Sequence, residues 1–344
     1  MDKERLNRML SSINDQYDKT EGSFFYDNLK AVGLELDEAD KKADAILDKG
    51  FAETSFGEWL DKKVAEQGIK RKPATKATTT VLITGSQGAL INTGDKVASD
   101  VVTFVFKESK TIGPSGQESV LVECESFGTI GNVPAGAIRF FPVTLAGLTS
   151  VTNPEAVTSG YNGETNEELR GRYWDKVRTP ATSGNKYHYR NWAKEVIGVG
   201  DARVFPTWDG PGTVKVVIIN SNKRGADAQL VTNVATHIEE ERPIGATVTV
   251  ESAAELQINL SVTLIIDTDN YELDFVKVAI ENNITNYLTS IAFHENYVSY
   301  AIVGSTILNT NGVLDYSGLT INGGAGNINI LDTQVAVLGV LTVV

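Results

Sequence analysis

The chain is poor in the residues that build reactive centres. Of its 344 residues one is cysteine, Cys124, and three are histidine, His188, His237 and His294. A single thiol excludes an intramolecular disulfide and a cysteine-based metal cluster. No histidine has a second ligating residue at metal spacing, so each reads as a packed or solvated side chain. No G-x-S-x-G elbow and no Walker A loop occurs. No stretch approaches the ~20 apolar residues of a membrane span. The N-terminal MDKERLNRML is polar and amphipathic and lacks the apolar region of a secretory signal. Positive charge is scarce as well: 31 Lys and Arg against 44 Asp and Glu give a net charge of -13. An acidic surface repels DNA and anionic lipid alike. These absences predict a chain made in a reducing cytosol, with no cofactor, no metal, no nucleic acid and no membrane as partner, and with other proteins as the default. Two glycosylation sequons, at Asn259 and Asn283, read as chance matches in such a chain.

What is present begins with a long helix. Phe25, Leu29, Val32, Leu36, Ala39, Ala43 and Ile46 recur at alternating spacings of four and three, the a/d pattern of a short coiled coil, and most residues between them are polar or charged. No proline falls between residues 23 and 49, so one helix of roughly 40 Å fits at ~1.5 Å per residue. The seam thins to alanine at positions 39 and 43, which permits close approach of another helix. Ahead of it, Leu6, Met9, Leu10, Ile13 and Tyr17 form an apolar stripe at helical spacing. That stripe is one candidate cover for the seam; a second protein chain is the other. Ser55 and Glu58 have the spacing of a capping box, predicting a short helix with Trp59, Leu60 and Val64 that stops at Gly68.

Basic residues 70–76, with Pro73, read as a linker. Beyond it, residues 77–84, 101–107 and 119–125 are rich in Val, Ile, Phe and Thr and are separated by glycine-rich turns, the texture of a small β domain. Thr165 and Glu168 form a second capping box, opening a helix that ends before Pro180; another helix is predicted over 186–196. The order strand, turn, strand, helix, strand follows through residue 251, an α/β unit with one helix on a sheet. A similar order is expected to repeat from 252 to the end, with strands at 256–266, 313–321, 327–331 and 335–343 and helices at 271–290 and 298–308. The fold class is therefore α+β and multidomain: N-terminal helices (1–72), a small β domain (73–160), helices plus a ββαβ unit (161–251), and a C-terminal α/β domain (252–344).

Three groups of short motifs resemble the baseplate J-like family of contractile phage tails and tail-like particles. The first is Glu21-Gly22-Ser23-Phe24-Phe25-Tyr26-Asp27-Asn28-Leu29, then Gly57-Glu58-Trp59-Leu60-Asp61 and Gly68-Ile69-Lys70-Arg71-Lys72-Pro73-Ala74-Thr75. The second is Gly128-Thr129-Ile130-Gly131-Asn132-Val133-Pro134-Ala135-Gly136, followed by Gly160-Tyr161-Asn162-Gly163-Glu164-Thr165. The third is Gly198-Val199-Gly200-Asp201-Ala202-Arg203-Val204, Gly210-Pro211-Gly212-Thr213-Val214 and Arg242-Pro243-Ile244-Gly245-Ala246. Their order and spacing across most of the chain carry the resemblance; the last hundred residues match least.

The resemblance implies a structural wedge component of a baseplate, in a virion tail or tail-like particle assembled in the bacterial cytoplasm. It implies a sixfold ring around the hub that rearranges on contraction. Implied partners are a second copy of the chain, another baseplate wedge protein, tail hub and sheath proteins, and neighbouring wedges through the C-terminal domains. The seam would then be a protein interface. Such a ring needs heterologous contacts and movable joints, and residues 70–76, 160–163 and 179–184 are hinge candidates by composition. A tail-associated cell-surface recognition protein is the alternative, and a tail-associated hydrolase a third reading that lacks a site. The sequence around Asp267 and Asp269 has the look of a calcium loop but lacks the glycine at position six and the glutamate at twelve, where Val278 stands. The basic, aromatic stretch 170–194, with Tyr173, Trp174, Tyr187, Tyr189 and Trp192, reads as core and protein contact rather than a base-stacking surface.

Overall fold

The computed structural model describes residues 3–179, 182 and 184–343. The chain forms two compact units, one comprising Met1–Arg71 with Thr165–Trp174, the other Lys72–Glu164 with Asp175–Val344.

The first unit is helical: α1 (Lys3–Ser11), α2 (Phe24–Gly50), α3 (Gly57–Ala65) and the first turns of α4 (Asn166–Arg178). The predicted stripe from Leu6 to Tyr17 is only half a helix. α1 stops at Ser11, where the Ser11 and Ser12 hydroxyls turn back to donate to the Arg8 carbonyl and compete with helix propagation. The capping box at Ser55 does not form. Phe56 is extended and precedes the first helical residue, so Ser55 lies one position too early; its Oγ is buried without a partner. The amide of Gly57 donates instead to Asn166 Oδ1 at 3.3 Å. The helix does stop as expected, with Gly68 at positive φ and the Ile69 amide bonded to the Val64 carbonyl at 3.2 Å. Ala52, Leu60, Val64 and Ile69 share a core with Leu169 and Tyr173 of α4. Arg170 adds two bonds to it, donating to the carbonyls of Ala52 and Ser55 at 2.8 and 2.9 Å. The second capping box is formed: the Glu168 amide donates to Thr165 Oγ1 at 3.2 Å, and the Thr165 amide to Glu168 Oε2 at 2.9 Å.

The second unit opens with a barrel-like β domain. Its strands are β1 (Lys76–Gly85), β2 (Leu90–Ile91), β3 (Lys96–Ala98), β4 (Thr103–Phe106), β5 (Lys110–Thr111), β6 (Gln117–Phe127) and β7 (Leu148–Thr152). Five of them pair antiparallel in the order β3-β4-β6-β1-β7, and β2 pairs with β5. Alternation sends Val81, Ile83, Phe104, Phe106, Val120, Val122 and Cys124 inward to one core. The lone cysteine is thus a small apolar filler. Gly131, in a short 3-10 turn after β6, closes that core. A Cβ there would lie 2.7 Å from the Ala77 Cβ and 2.9 Å from the Cys124 Cβ.

Two small sheets follow. The central one holds α5 (Lys186–Glu195), β8 (Val199–Pro206), β9 (Thr213–Asn220), α6 (Ala228–Glu241) and β10 (Thr247–Ser252), in strand order β10-β9-β8. The C-terminal one holds β11 (Ala254–Ile266), α7 (Leu273–Ile291), β12 (Tyr297–Val298), α8 (Tyr300–Leu308), β13 (Val313–Ile321), β14 (Ile328–Asn329) and β15 (Gln334–Val343), in order β13-β11-β15. Each sheet has a central strand with one antiparallel and one parallel neighbour. The chain order nevertheless does not repeat. The centre is the second strand of the first sheet and the first strand of the other, because both C-terminal helices precede β13. The expected strand over 327–331 shrinks to the two residues of β14, paired with β12.

Strand β9 is buried on both faces, hence its run of Val and Ile. Val216 and Ile218 face the helices, while Val217 and Ile219 meet Ala253, Ala292, Val335 and Val337. The central and C-terminal parts therefore share a core. Within the second unit, residues of two hinge candidates make specific hydrogen bonds. Lys72 is buried, with Nζ donating to the Val199 carbonyl at 3.0 Å and its amide to Glu164 Oε2 at 3.0 Å. Gly160 is gripped on both sides by Asn132, at 2.8 and 2.9 Å. Of the third candidate, residues 180, 181 and 183 lie outside the described residues, as do residues 1 and 2 of the N-terminal stretch.

Candidate assembly interface

The seam helix forms where its spacing and its caps place it. α2 runs for 27 residues, and Ser23 caps it by accepting the Tyr26 amide at 3.3 Å. The preceding Gly22 turns the chain at φ 93. α1 returns along one flank of α2. Leu6 and Leu10 are buried on α1, and Gly33 is buried on α2. Arg5 holds this pair together by bridging Asp37, at 3.0 Å, and Asp40. Beyond the end of α1, the Tyr17 ring packs on Phe25 with centroids 5.0 Å apart.

This arrangement divides the seam. Phe25 and Leu29 are half-buried within the chain. Val32 is 50% exposed, Leu36 44% and Ile46 66%, and Ala39 and Ala43 are exposed too. The α1 stripe therefore covers the N-terminal end and one flank, and leaves the rest of the apolar line bare. Five exposed seam residues over four turns form a continuous strip of the kind that marks a protein contact. Leu34, Leu47 and Phe51 are exposed as well, but they lie off the a/d line, Leu34 on the opposite face of α2 and Phe51 just past its end. At the far end Lys49 lies over the Trp59 ring at 5.1 Å, and Lys62 covers the same ring at 4.7 Å.

Several of the other chemistry-bearing residues are engaged in the fold. Arg190 donates to both carboxylate oxygens of the buried Asp201, at 2.9 and 3.0 Å, and to Asp175; Lys194 also pairs with Asp175. Burial pushes the Asp201 carboxyl up, but the Lys194 charge and the Arg190 bonds outweigh it and hold it below the usual range. Tyr173, Tyr189 and Trp192 are buried. The basic, aromatic stretch thus spends these cations and rings internally, with Arg172 donating to the Lys70 carbonyl at 2.6 Å. His188 stacks on Trp192, and His237 pairs with Glu195 at 3.0 Å. Asp267 accepts bonds from the amide of Asp269 and the side chain of Asn270, a strand-to-helix turn. Among the described residues no group of three or more His, Cys, Asp and Glu is placed to hold a metal ion, and no helix is long and apolar enough to cross a membrane. Outside the seam, Ile244 and Trp208 stand exposed on adjacent loops of the central sheet. The backbone joins those loops through the Thr247 amide and the Gly212 carbonyl at 2.8 Å.

Three family models match the chain in order. The baseplate J-like protein barrel domain covers residues 80–160, the baseplate J-like central domain 181–252, and the baseplate J-like protein C-terminal domain 258–344. An uncharacterized protein of Bacillus subtilis, YqbT, is 34% identical over 98% of this chain and 96% of its own length. The phage-like element PBSX protein XkdT of the same organism is 34% identical over the same shares. Baseplate protein gp47 of Escherichia phage Mu is 27% identical over 70% of this chain and 68% of its own. A chain of the anti-feeding prophage baseplate aligns over 97% of this chain and 90% of its own at 11% identity, with a TM-score of 0.39. The chain belongs to the baseplate J-like family, a class of baseplate proteins from phages and prophage tail-like particles.

Proposed function

We propose that the chain is a structural wedge component of a contractile-tail baseplate, joined to its neighbours through the bare face of α2. In this reading it takes its place in a sixfold ring around the hub and shifts within that ring on contraction. It needs no cofactor and performs no catalysis. Its partners are a second copy, another wedge protein, and hub and sheath proteins, with the C-terminal domains reaching neighbouring wedges. It is made and assembled in the bacterial cytoplasm and resides in the tail particle. The observation that carries the reading is the uncovered line Val32, Leu36, Ala39, Ala43 and Ile46 on a helix whose other flank is already occupied by α1. An apolar line on a 27-residue helix has no reason to face water in a finished assembly.

Family membership and the organisation of the second unit support the same reading. Its two α/β parts share one core through β9, which makes a stiff body suited to transmitting displacement. Deleting the gene in the producing strain and imaging the purified particles by electron microscopy tests the proposal. Tubes or sheaths lacking a baseplate are the expected product. Particles with intact baseplates would refute it.

A further inference from the structure

We propose that Asn311 is a site of spontaneous deamidation, a covalent modification that turns its carboxamide into an acid and inserts an extra carbon into the backbone of the C-terminal domain. Asparagine followed by glycine is where this reaction meets least hindrance, because glycine places no side chain beside the attacking amide. The sequence holds three such pairs, Asn162-Gly163, Asn311-Gly312 and Asn322-Gly323. All three asparagines are exposed, so access to water does not separate them. What separates them is how each carboxamide is held. Asn162 Oδ1 accepts from the Thr129 amide at 3.0 Å and from the Thr129 hydroxyl at 3.4 Å. Asn322 is pinned at both ends: Oδ1 accepts from the Asn259 amide at 2.8 Å, and Nδ2 donates to the Gln257 carbonyl at 3.1 Å. Among the described residues no partner holds the Asn311 carboxamide.

The backbone around Asn311 leaves the attacking group available. Residues Thr310–Val313 form a turn closed by the Val313 amide on the Thr310 carbonyl at 3.0 Å. Gly312 sits third in it at φ 91, the place a type II turn reserves for glycine. Among the described residues its amide is spent on no backbone acceptor. When the turn opens locally, the Gly312 nitrogen attacks Asn311 Cγ and the Cγ–Nδ2 bond breaks. Ammonia leaves with the Gly312 hydrogen, and the side chain is closed on the backbone as a cyclic succinimide. Water then adds to one of the two ring carbonyls: a C–O bond forms, a ring C–N bond breaks, and the nitrogen regains a hydrogen. Nothing is oxidised or reduced. Cleavage at the side-chain carbonyl leaves aspartate; cleavage at the main-chain carbonyl leaves isoaspartate, whose chain runs through Cβ. The surroundings give that product a structural effect. The Gly312 carbonyl accepts from the Asp267 amide at 3.0 Å. A Cβ on Gly312 would stand 2.7 Å from Tyr271 Cγ and 2.8 Å from Val276 Cγ2. An extra backbone carbon cannot enter so tight a turn without moving that carbonyl, and so it loosens the tie between the start of β13 and the loop from β11 to α7.

The test ages the purified full-length chain at physiological temperature and mildly alkaline pH, with a parallel sample unfolded in urea. Digestion at acidic residues separates the sites, since Asp315 lies between Asn311 and Asn322. Peptide mass spectrometry then reads amide-to-acid conversion at each asparagine, and labelling by a protein isoaspartate methyltransferase reads the isoaspartyl form. In the folded chain Asn311 is expected to convert at least about tenfold faster than Asn162 or Asn322, the factor that roughly 1.4 kcal/mol of restraint on the two held carboxamides supplies. In urea the three rates should draw together. Asn311→Gln, whose longer side chain must close a larger ring, should abolish the fast conversion. The aged wild-type chain should melt below the fresh one, and the aged Asn311→Gln chain should not. Conversion at Asn162 or Asn322 as fast as at Asn311 in the folded chain would overturn the proposal. So would an Asn311 that stays an amide when folded yet converts in urea. An equal fall in melting temperature for the aged Asn311→Gln chain would overturn the structural effect assigned to the extra carbon.

Discussion

Leu36→Asp tests the proposal that the bare face of α2 is an assembly surface rather than an internal one. In the chain as folded, Leu36 keeps 44% of its surface in water. Fully burying a leucine stabilises by ~1.5–3 kcal/mol, so completing its burial against a partner contributes roughly 0.7–1.3 kcal/mol per copy. An aspartate in the same position forfeits that gain and adds the cost of an unpaired polar group, about 1–3 kcal/mol. The joint should weaken by roughly 2–4 kcal/mol, a factor of about 30 to 1,000 in affinity. The isolated chain should hardly notice, because an already exposed side chain on an intact helix is being exchanged for a soluble one. Leu29→Asp is the internal comparison. Leu29 is half-buried within the chain, so its replacement should lower the melting temperature of the chain as well as its incorporation. The assays are differential scanning fluorimetry on the purified chain and pull-down after co-expression with its neighbouring tail proteins. Equal loss of thermal stability in both variants would mean that the whole seam is internal, and the reasoning would fail.

Other consequences concern the second unit and the capping turns. Asp201→Asn removes one partner of a buried ion pair and leaves Arg190 under-compensated; a loss of about 3–5 kcal/mol is expected in urea titrations. Because the folded-state pKa of Asp201 is lowered, its contribution is present above the ordinary carboxylate range and disappears as pH falls through the depressed value. The wild-type chain should thus lose stability on acidification below about pH 4, and the asparagine variant should show a shallower slope there. Gly131→Ala places a methyl against Ala77 and Cys124, and overpacking of this kind costs about 1–3 kcal/mol, readable as a lower melting temperature. Thr165→Ala deletes the oxygen that accepts the Glu168 amide; a loss of about 1 kcal/mol is expected by chemical denaturation, and Thr165→Ser should recover most of it.

Much of this architecture was legible because it rests on periodicity and caps. The seam helix, the box at Thr165 and Glu168, and the alternating strands of the β domain all declare themselves locally. What stayed hidden depended on tertiary choice. Ser55 has the spacing of a cap, yet an extended Phe56 moves the helix start and Asn166, more than a hundred residues away, takes the capping role. Tyr17 lies on the α1 stripe by spacing, but Ser11 and Ser12 end that helix and the ring packs from a turn. Residues 70–76 and 160–163 look loose by composition, yet within the second unit Lys72 is bonded to Glu164 and Gly160 to Asn132. The seam was visible as a pattern, but its division into a covered flank and a bare face was not, because it depends on where α1 lies, which Arg5 fixes through Asp37 and Asp40. Conversely, the basic, aromatic stretch 170–194 keeps its suggestive composition and loses its freedom, since Arg190 and Lys194 are committed to Asp175 and Asp201.

The most direct measurement is incorporation of a chain lacking residues 1–50 into particles assembled with the neighbouring tail proteins. That deletion removes α1 and α2 and leaves the core of Ala52, Leu60, Val64, Ile69, Leu169 and Tyr173 in place. The truncated chain should fold, with the melting transition of the second unit unchanged, and should be absent from the purified particle. Incorporation at the level of the full-length chain would contradict the claim that α2 is the joint.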